Sequence, residues 1–240
     1  MKLCDLHTHV LPGVDDGASD IGYALQMLAN AVASDVQLLA VTPHCNSGYG
    51  TGNFLDQDLL DRFAQLQQAA KDIPIQLVLG AEVLADQQLP QLLLQKKLPT
   101  INGSRYLLTE FPILMDGATI SALLQSILDQ GYIPLVAHPE RYTAVHQSPR
   151  QVMTWLDMGC HMQLSGGSLQ GEYGKTAQQT AEILLQNDLV ACIASDAHGT
   201  HHRSNFLLTA YDHLAVHYSK QYAQCLMYEN PMRICRNEEI

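Results

Sequence analysis

The residues best suited to chemistry are histidines and carboxylates that follow apolar segments of the chain. The first such segment reads Asp-Leu-His-Thr-His and ends in His7 and His9. Because side chains alternate along a strand, these two imidazoles fall on one side and could form half of a metal site. The following Pro/Gly turn contains Asp15 and Asp16, either of which could return to the imidazoles as an oxygen ligand.

Further imidazoles and carboxylates stand directly after later apolar segments. They are His44, Glu82, Glu110, His138, Asp196 and His198. Each alone has an ordinary explanation, as a solvated loop carboxylate or a histidine at a strand end. Together, with His7, His9 and one aspartate of the turn, they are hard to place on one face unless cations neutralise them, since only 15% of the chain is charged.

Such a donor set predicts more than one metal ion. Nine imidazole and carboxylate donors exceed what one tetrahedral ion can use, so two or three ions with bridging carboxylates are expected. The set contains no thiolate, which favours manganese, iron or catalytic zinc over structural zinc. Arg141 and Arg203 follow His138 and His198 closely and could grip phosphate oxygens with their guanidinium groups.

The elements that must position these residues alternate between strand and helix. Strands are predicted over residues 2–6, 36–42, 75–79, 106–110, 133–137, 160–164 and 189–194. Helices are predicted over 21–32, 54–71, 89–95, 120–129, 148–158 and 175–186, with one or two helices over 204–226 before a frayed acidic tail. The helix over 54–71 is expected to turn Leu55, Leu59, Phe63 and Leu66 inward. About seven such β/α units favour a TIM-like (β/α)7 barrel, whose strands all end at one rim.

Composition narrows the class of protein. The chain has 240 residues, of which 47% are hydrophobic, and we expect residues 1–240 to form one α/β domain. The net charge of −11 argues against a nucleic-acid partner. No apolar run approaches the roughly 18 residues of a membrane span, and no signal peptide is evident, so we expect no membrane insertion and a cytoplasmic protein. The six cysteines are expected to be reduced, mostly buried thiols.

Several motifs together resemble a known superfamily. They are His7-Thr8-His9, Val14-Asp15-Asp16-Gly17, Pro43-His44, Gly80-Ala81-Glu82, Thr109-Glu110-Phe111, His138-Pro139-Glu140-Arg141 and Ser195-Asp196-Ala197-His198 with Arg203. In this order they resemble the polymerase-and-histidinol-phosphatase (PHP) superfamily, and within it the bacterial capsule-type, manganese-dependent protein-tyrosine phosphatases. The resemblance covers nearly the whole chain.

The resemblance implies a distorted seven-stranded barrel, two to three metal ions, and hydrolysis of phosphotyrosine. The implied substrate is the C-terminal tail of a membrane-associated bacterial tyrosine kinase that controls capsular or extracellular polysaccharide synthesis. The implied ligands are His7, His9, Asp16, His44, Glu82, Glu110, His138, Asp196 and His198. It selects Asp16 over Asp15 and assigns Arg141 and Arg203 to the phosphate.

One segment departs from the family pattern. Cys45-Asn46-Ser47 stands where the family often has a basic or histidine-rich stretch, so substrate contacts there are not carried over. The Gly-rich loop Gly48–Gly52 that follows could cover a substrate, with Tyr49 as an aromatic wall.

Other activities remain open at this point. A small-molecule phosphomonoesterase, such as a histidinol-phosphatase, would use the same metals. A non-catalytic regulatory barrel should lack some ligands, whereas here the set is complete. A metal-dependent C–N hydrolase usually needs a lysine ligand, for which no lysine is well placed. Thiolate chemistry is disfavoured, because no cysteine has an arginine six positions later.

Overall fold

The β-strands lie side by side and form the wall of a barrel. The computed structural model describes residues 2–45 and 52–240. Its strands are Leu3–Thr8 (β1), Val36–Val41 (β2), His44–Cys45 (β3), Gln76–Leu79 (β4), Glu82–Leu84 (β5), Tyr106–Glu110 (β6), Ile133–Ala137 (β7), His161–Ser165 (β8) and Cys192–Ala194 (β9). Every strand pair is parallel, in the orders β1-β2-β4 and β3-β5-β6-β7-β8-β9.

The nine strands correspond to seven positions in the wall. The predicted second and third strands are each broken: β2 and β3 are separated at Pro43, and β4 and β5 at Gly80. A β-carbon on Gly80 would lie 2.8 Å from Ile101 Cδ1, so the break at this point accommodates the 3-10 turn Ile101–Gly103. These breaks distort the barrel without changing its strand order, and the predicted α/β barrel is confirmed.

The wall closes between the first and last strands. Thr8 and Ala197 form a parallel bridge, and the His9 amide donates to the Ala197 carbonyl at 2.9 Å. Beside it, the Ser195 amide donates to a carboxylate oxygen of Asp5, also at 2.9 Å. At this junction between β1 and β9, which we call the seam, the buried side chain of Asp5 therefore takes the place of a backbone carbonyl as the acceptor for Ser195.

The helices before the last strand join successive strands, and three more helices follow that strand. They are Ile21–Ala33 (α1), Gln57–Ala69 (α2), Leu89–Leu94 (α3), Gly117–Asp129 (α4), Thr143–Gln147 (α5), Arg150–Asp157 (α6), Gly166–Leu169 (α7), Lys175–Gln186 (α8), Leu207–His217 (α9), Lys220–Gln224 (α10) and Asn230–Cys235 (α11). A 3-10 turn spans Pro139–Arg141, and a π-helical turn spans Cys225–Glu229. Among the described residues, no helix is both long and apolar enough to cross a membrane.

The predicted start of the second helix, at Phe54, was wrong. The Asp56 side chain accepts a hydrogen bond from the Leu59 amide at 3.0 Å and caps α2, which therefore begins at Gln57. Leu55, expected to point inward, instead donates its amide to the Lys97 carbonyl and is 45% exposed. Helical spacing of apolar residues continued beyond the cap and misplaced this boundary.

The predicted frayed tail was also wrong. After α9, the chain continues through α10 and the π-helical turn into α11, whose Ile234 is fully buried in the apolar cluster of the barrel interior. Further along, the Tyr106 hydroxyl donates to the Glu238 carbonyl at 2.8 Å, and Asn237 Oδ1 accepts from the Arg105 amide. The C-terminal segment therefore closes the end of the barrel opposite to the strand carboxyl ends.

Candidate metal centre

The paired histidines of β1 lie side by side at the carboxyl end of the barrel. Both rings are fully buried, and His7 Nε2 lies 3.2 Å from His9 Nε2. A shift in the β1–β2 register between Asp5 and Thr8 accompanies this arrangement. The two nitrogens therefore point into one small volume, as the spacing predicts.

The acidic turn gives its two aspartates different positions. Asp15 Oδ2 accepts from His9 Nδ1 at 2.9 Å and from the His44 amide at 3.0 Å, so Asp15 supports the rings from behind. Asp16 Oδ1 instead lies 3.3 Å from His44 Nε2 and 3.3 Å from His198 Nε2. The turn packs tightly, because a β-carbon on Gly17 would lie 2.0 Å from the His9 carbonyl oxygen. Asp16, not Asp15, therefore faces the cluster.

Glu82 is the centre of the cluster. Its Oε2 atom lies 3.2 Å from His7 Nε2, 3.2 Å from His9 Nε2 and 3.1 Å from His44 Nδ1. Its other oxygen, Oε1, lies 2.7 Å from His138 Nε2. A carboxylate with donors on both oxygens is placed to bridge two cations.

The remaining predicted residues join the same cluster. Asp196 Oδ1 lies 3.4 Å from His7 Nε2 and 3.5 Å from His198 Nδ1, and Glu110 Oε1 lies 3.2 Å from His44 Nδ1. Three groups have all their ligand atoms within 4.8 Å of one another: His7, His9, Glu82 and Asp196; His9, Asp16, His44 and His198; and His44, Glu82 and Glu110. With His138 attached through Glu82, all nine predicted donors are brought together.

The hydrogen bonding of the cluster fits cations better than it fits the side chains alone. Within residues 2–45 and 52–240, His44 Nδ1, His138 Nδ1 and His198 Nε2 are buried without a properly directed hydrogen-bond partner. Two of these atoms nevertheless lie 3.1 to 3.3 Å from carboxylate oxygens. Nitrogens close to carboxylates but misdirected for hydrogen bonds are what a site for divalent metal ions requires.

The carboxylates and imidazoles shift each other's titration strongly. Burial alone would lower the pKa of His7 and of His9, but nearby carboxylates, chiefly Glu82 for His7 and Asp15 for His9, outweigh it and raise both values. Burial would likewise raise the pKa of Glu82, which the charge of His7 and contacts with His138 and His44 hold well below its usual range. His198 differs, since burial and the charge of His9 lower its pKa to about 4. The carboxylates around His7 and His9 therefore favour the protonated forms of these two rings.

Both predicted arginines reach this cluster. Arg141 Nη2 lies 2.5 Å from Asp196 Oδ2, and Arg203 Nη1 lies 3.3 Å from Asp16 Oδ2. The Nε atoms of both arginines are buried without a hydrogen-bond partner among the described residues. Each guanidinium thus keeps a donor available for an anion.

The backbone at the site is strained at three of these residues. His138, Asp196 and Arg203 have φ values of 35°, 53° and 45°, in the left-handed region that costs a non-glycine residue on the order of 1 kcal/mol or more. Such strain is typical of functional sites, where the surrounding structure holds residues in place.

The cluster opens into a cavity of about 670 Å³, a size typical of small-ligand sites. Its lining residues are Gly13, Val14, Asp15, Asp16, His44, Glu110 and Arg203. The predicted loop cover cannot be placed here, since Gly48 and Tyr49 lie outside the described residues and only Gly52 at the end of that loop is described.

One contributing residue escaped the sequence analysis. Gln163 of β8 accepts from His7 Nδ1 through its Oε1 atom at 2.9 Å, and its own amide group donates to the Leu164 carbonyl at 2.6 Å. The signal was a glutamine inside an otherwise apolar strand segment, on the one predicted strand that supplies no ligand. Gln163 fixes the His7 ring with Nε2 toward the cluster.

Comparison with known proteins relates the chain to proteins of capsular polysaccharide synthesis. The family described as capsular polysaccharide synthesis, CpsB/CapC, matches residues 3–236. Tyrosine-protein phosphatase CpsB of Streptococcus pneumoniae is 31% identical over 245 residues, covering 99% of this chain and 100% of that protein. Tyrosine-protein phosphatase YwqE of Bacillus subtilis (strain 168) is 29% identical over 239 residues, covering 99% and 93%.

Solved structures agree with these relatives. A chain from the crystal structures of YwqE from Bacillus subtilis and CpsB from Streptococcus pneumoniae, described as unique metal-dependent tyrosine phosphatases, superposes with a TM-score of 0.92 and 29% identity, covering 99% of this chain and 96% of that chain. The phosphotriesterase homology protein from Escherichia coli, at 12% identity and a TM-score of 0.64, shares the fold alone. The chain belongs to the CpsB/CapC family of capsular polysaccharide synthesis.

Proposed function

We propose that this chain is a metal-dependent tyrosine-protein phosphatase that hydrolyses phosphotyrosine in a protein substrate. The observation that carries the proposal is the convergence of nine imidazole and carboxylate donors and two arginines at one cavity. The relatives that match nearly all of the chain are named tyrosine-protein phosphatases, which supports the same activity.

The nine donors would hold two or three divalent ions, with manganese the preferred ion and iron or zinc the alternatives. Mixed imidazole and carboxylate donors suit all three metals. When bound, such ions supply an activated water and neutralise negative charge on the phosphoryl group. Glu82, whose two oxygens face different histidines, would be a central ligand for these ions.

Arg141 and Arg203 would hold the phosphoryl oxygens that do not react. Guanidinium groups present coplanar N–H donors that match such oxygens, and the unpartnered Nε atoms of both residues are available for this. In the reaction, water adds to phosphorus and the bond from phosphorus to the phenolic oxygen breaks, which yields tyrosine and inorganic phosphate. The arginine charges stabilise the negative charge that the phosphoryl oxygens carry during this exchange.

The proposed substrate is the C-terminal tail of a membrane-associated bacterial tyrosine kinase that controls capsular or extracellular polysaccharide synthesis. Family membership supports this choice. A flexible tail can bring a phosphotyrosine into the cavity beside Asp16 and Arg203 without a large docking surface. Residues 1–240 would act as a single domain.

The test is hydrolysis of a phosphotyrosine peptide by chelated and reconstituted protein. Chelation should abolish activity, and Mn²⁺ should restore it more fully than Fe²⁺ or Zn²⁺. The variant Arg141→Ala should lower kcat/KM by about a hundredfold or more, as loss of a charge-stabilising donor does elsewhere. Arg150→Ala, which removes an arginine of α6, is the matched control and should leave kcat/KM unchanged.

Two outcomes would reject the proposal. One is activity that survives chelation but is lost on alkylation of thiols. The other is hydrolysis of histidinol phosphate with a higher kcat/KM than the phosphotyrosine peptide, which would indicate a small-molecule phosphomonoesterase with the same metals.

A further inference from the structure

Tyr173, in the segment between α7 and α8, contacts Arg141 and Asp196 of the site. Its ring centroid is 3.5 Å from Arg141 Cζ, so the guanidinium group stacks on the aromatic face. Its hydroxyl lies 3.4 Å from Asp196 Oδ2, to which it donates, and Arg203 Nη2 lies 3.5 Å from the same oxygen. No other tyrosine in the described part of the chain stacks on an arginine.

The local backbone makes room for this side chain. A β-carbon on Gly167 would lie 3.1 Å from Tyr173 Cε2 and 3.3 Å from Phe206 Cδ2, so glycine allows both rings to pack there. Gly171 and Gly174 have φ values of 78° and 89° and form tight turns on either side. The ring is thus also packed against α7, on the side where Gly167 leaves room for it.

The stacking offsets the repulsion between two neighbouring arginines. Arg141 and Arg203 carry like charges, which disfavours their close approach, and both share Asp196 as a carboxylate partner. A phosphoryl group that takes up their N–H donors must compete with Asp196 for them. The aromatic ring contacts the flat face of the Arg141 guanidinium group. This contact uses none of the N–H donors, which point outward in the plane of the guanidinium group.

We propose that Tyr173 is a positioning residue for phosphate, which holds Arg141 through its ring and Asp196, the carboxylate that both arginines share, through its hydroxyl. The inference rests on the proposed function, since the arginines are assigned there to the phosphoryl group. Because the ring contact uses no N–H donor, it persists when phosphate replaces Asp196 as the partner of Arg141. Tyr173 thereby lowers the cost of ordering the arginines when phosphate binds.

The experiment measures binding of inorganic phosphate to the manganese-loaded protein by calorimetry, with competitive inhibition of p-nitrophenyl phosphate hydrolysis as a second readout. Tyr173→Leu removes ring and hydroxyl, and should weaken phosphate binding roughly tenfold, as expected for loss of a desolvated cation–π contact. Tyr173→Phe keeps the ring, so its loss should be about threefold or less. KM for the peptide should rise more than kcat falls.

Two comparisons separate positioning from a general effect on structure. Tyr218→Leu is the matched control, because Tyr218 is a partly buried tyrosine whose hydroxyl donates to the Glu182 carboxylate outside the site. It should leave phosphate affinity unchanged. In an Arg141→Ala background, Tyr173→Leu should cost at most about a third of its effect in the wild type, since the ring then has no guanidinium to hold.

The proposal is overturned if Tyr173→Leu binds phosphate like the wild type, or if its full effect persists without Arg141. Should that variant fail to fold by circular dichroism, Tyr173→Gln takes its place with the same expectation. A tenfold loss in Tyr173→Phe would also contradict the stacking role. Wild-type protein that binds phosphate in a Tyr173-dependent way but hydrolyses no aryl phosphate would reject the proposed function alone.

Discussion

Three of the five histidines of the cluster, His7, His9 and His198, use Nδ1 for support and turn Nε2 toward the shared volume. His7 Nδ1 is held by Gln163 and His9 Nδ1 by Asp15, while His198 Nδ1 bonds to the Asp196 carbonyl at 3.0 Å. Three different acceptors thus perform the same task. Each determines which nitrogen carries the proton and leaves Nε2 to face a cation.

Loss of the amide acceptor behind His7 should weaken metal binding. Gln163→Leu leaves the buried Nδ1 donor without a partner and frees the ring to rotate, so we expect manganese affinity to fall by about tenfold to a hundredfold. Competition with a fluorescent chelator measures this affinity. Gln178→Leu is the control, because that amide also bonds a backbone carbonyl but lies away from the cluster. Equal manganese affinities in the two variants would contradict the role of Gln163.

Metal uptake should release protons. Neighbouring carboxylates raise the pKa values of His7 and His9 against the effect of burial, which favours the protonated rings, and a cation that binds a ring nitrogen must displace its proton. Apparent affinity should therefore rise with pH, and more protons should be released per ion at about pH 6 than at about pH 8. Calorimetry in two buffers of different ionisation enthalpy gives the number. Release that is absent at the lower pH would show that the rings are already neutral.

At the scale of elements, the loop after β7 is fixed by a buried carboxylate. Glu140 Oε1 accepts from the Ser165 amide at 2.9 Å and from the Ser168 hydroxyl at 2.6 Å. These bonds join the turn that carries His138 and Arg141 to β8 and α7. Glu140 thus fixes the positions of both His138, a proposed metal ligand, and Arg141, a proposed phosphate-binding residue.

Removing this carboxylate should destabilise the fold. Glu140→Ala leaves the buried Ser165 amide unpaired, and we expect the free energy of unfolding to fall by about 3 kcal/mol. Ser168→Ala removes only one donor and should cost about 1 kcal/mol. Urea denaturation of chelated protein measures both. If the two variants prove equally stable, Glu140 does not anchor the loop.

The sequence reveals those site residues that directly follow a predicted strand. It does not reveal residues whose role depends on tertiary packing. His44, Glu82 and His138 were predictable, because parallel strands in a barrel bring their carboxyl ends to one rim. The partner roles of Gln163 and Tyr173 were not, since they depend on how β8 and the segment before α8 pack against residues far away in sequence. The resemblance distinguished Asp16 from Asp15, whereas the physical reason, the bonds from Asp15 to His9 and the His44 amide, required the fold.

At the scale of the whole molecule, the C-terminal helix completes the core. Ile234 of α11 is fully buried among side chains of the barrel interior, although it stands between Arg233 and Arg236 and before an acidic end of the chain. This contrast explains why local pattern indicated a frayed tail. The apolar cluster that includes Ile234 draws residues from strands far earlier in the sequence, such as Cys4 and Tyr106.

Truncation of Ile234 should therefore be costly. Ile234→Ala removes buried methyl groups and leaves a cavity, so we expect a loss of about 3 kcal/mol in the free energy of unfolding. Val216→Ala is the control, since Val216 is 77% exposed and its truncation should change stability by less than about 0.5 kcal/mol. Chemical denaturation monitored at Trp155, which is buried, reports both. A negligible loss for Ile234→Ala would mean that α11 is dispensable.

The seam between β1 and β9 has a wider consequence. Few backbone hydrogen bonds join these strands, yet His7 and His9 lie on one side of the join, and Asp196 and His198 lie on the other. Ions held by these residues would join segments that are nearly two hundred positions apart, and closing so long a loop restricts the unfolded chain considerably. Binding of the metal ions would then both activate the site and hold the first and last strands of the barrel together.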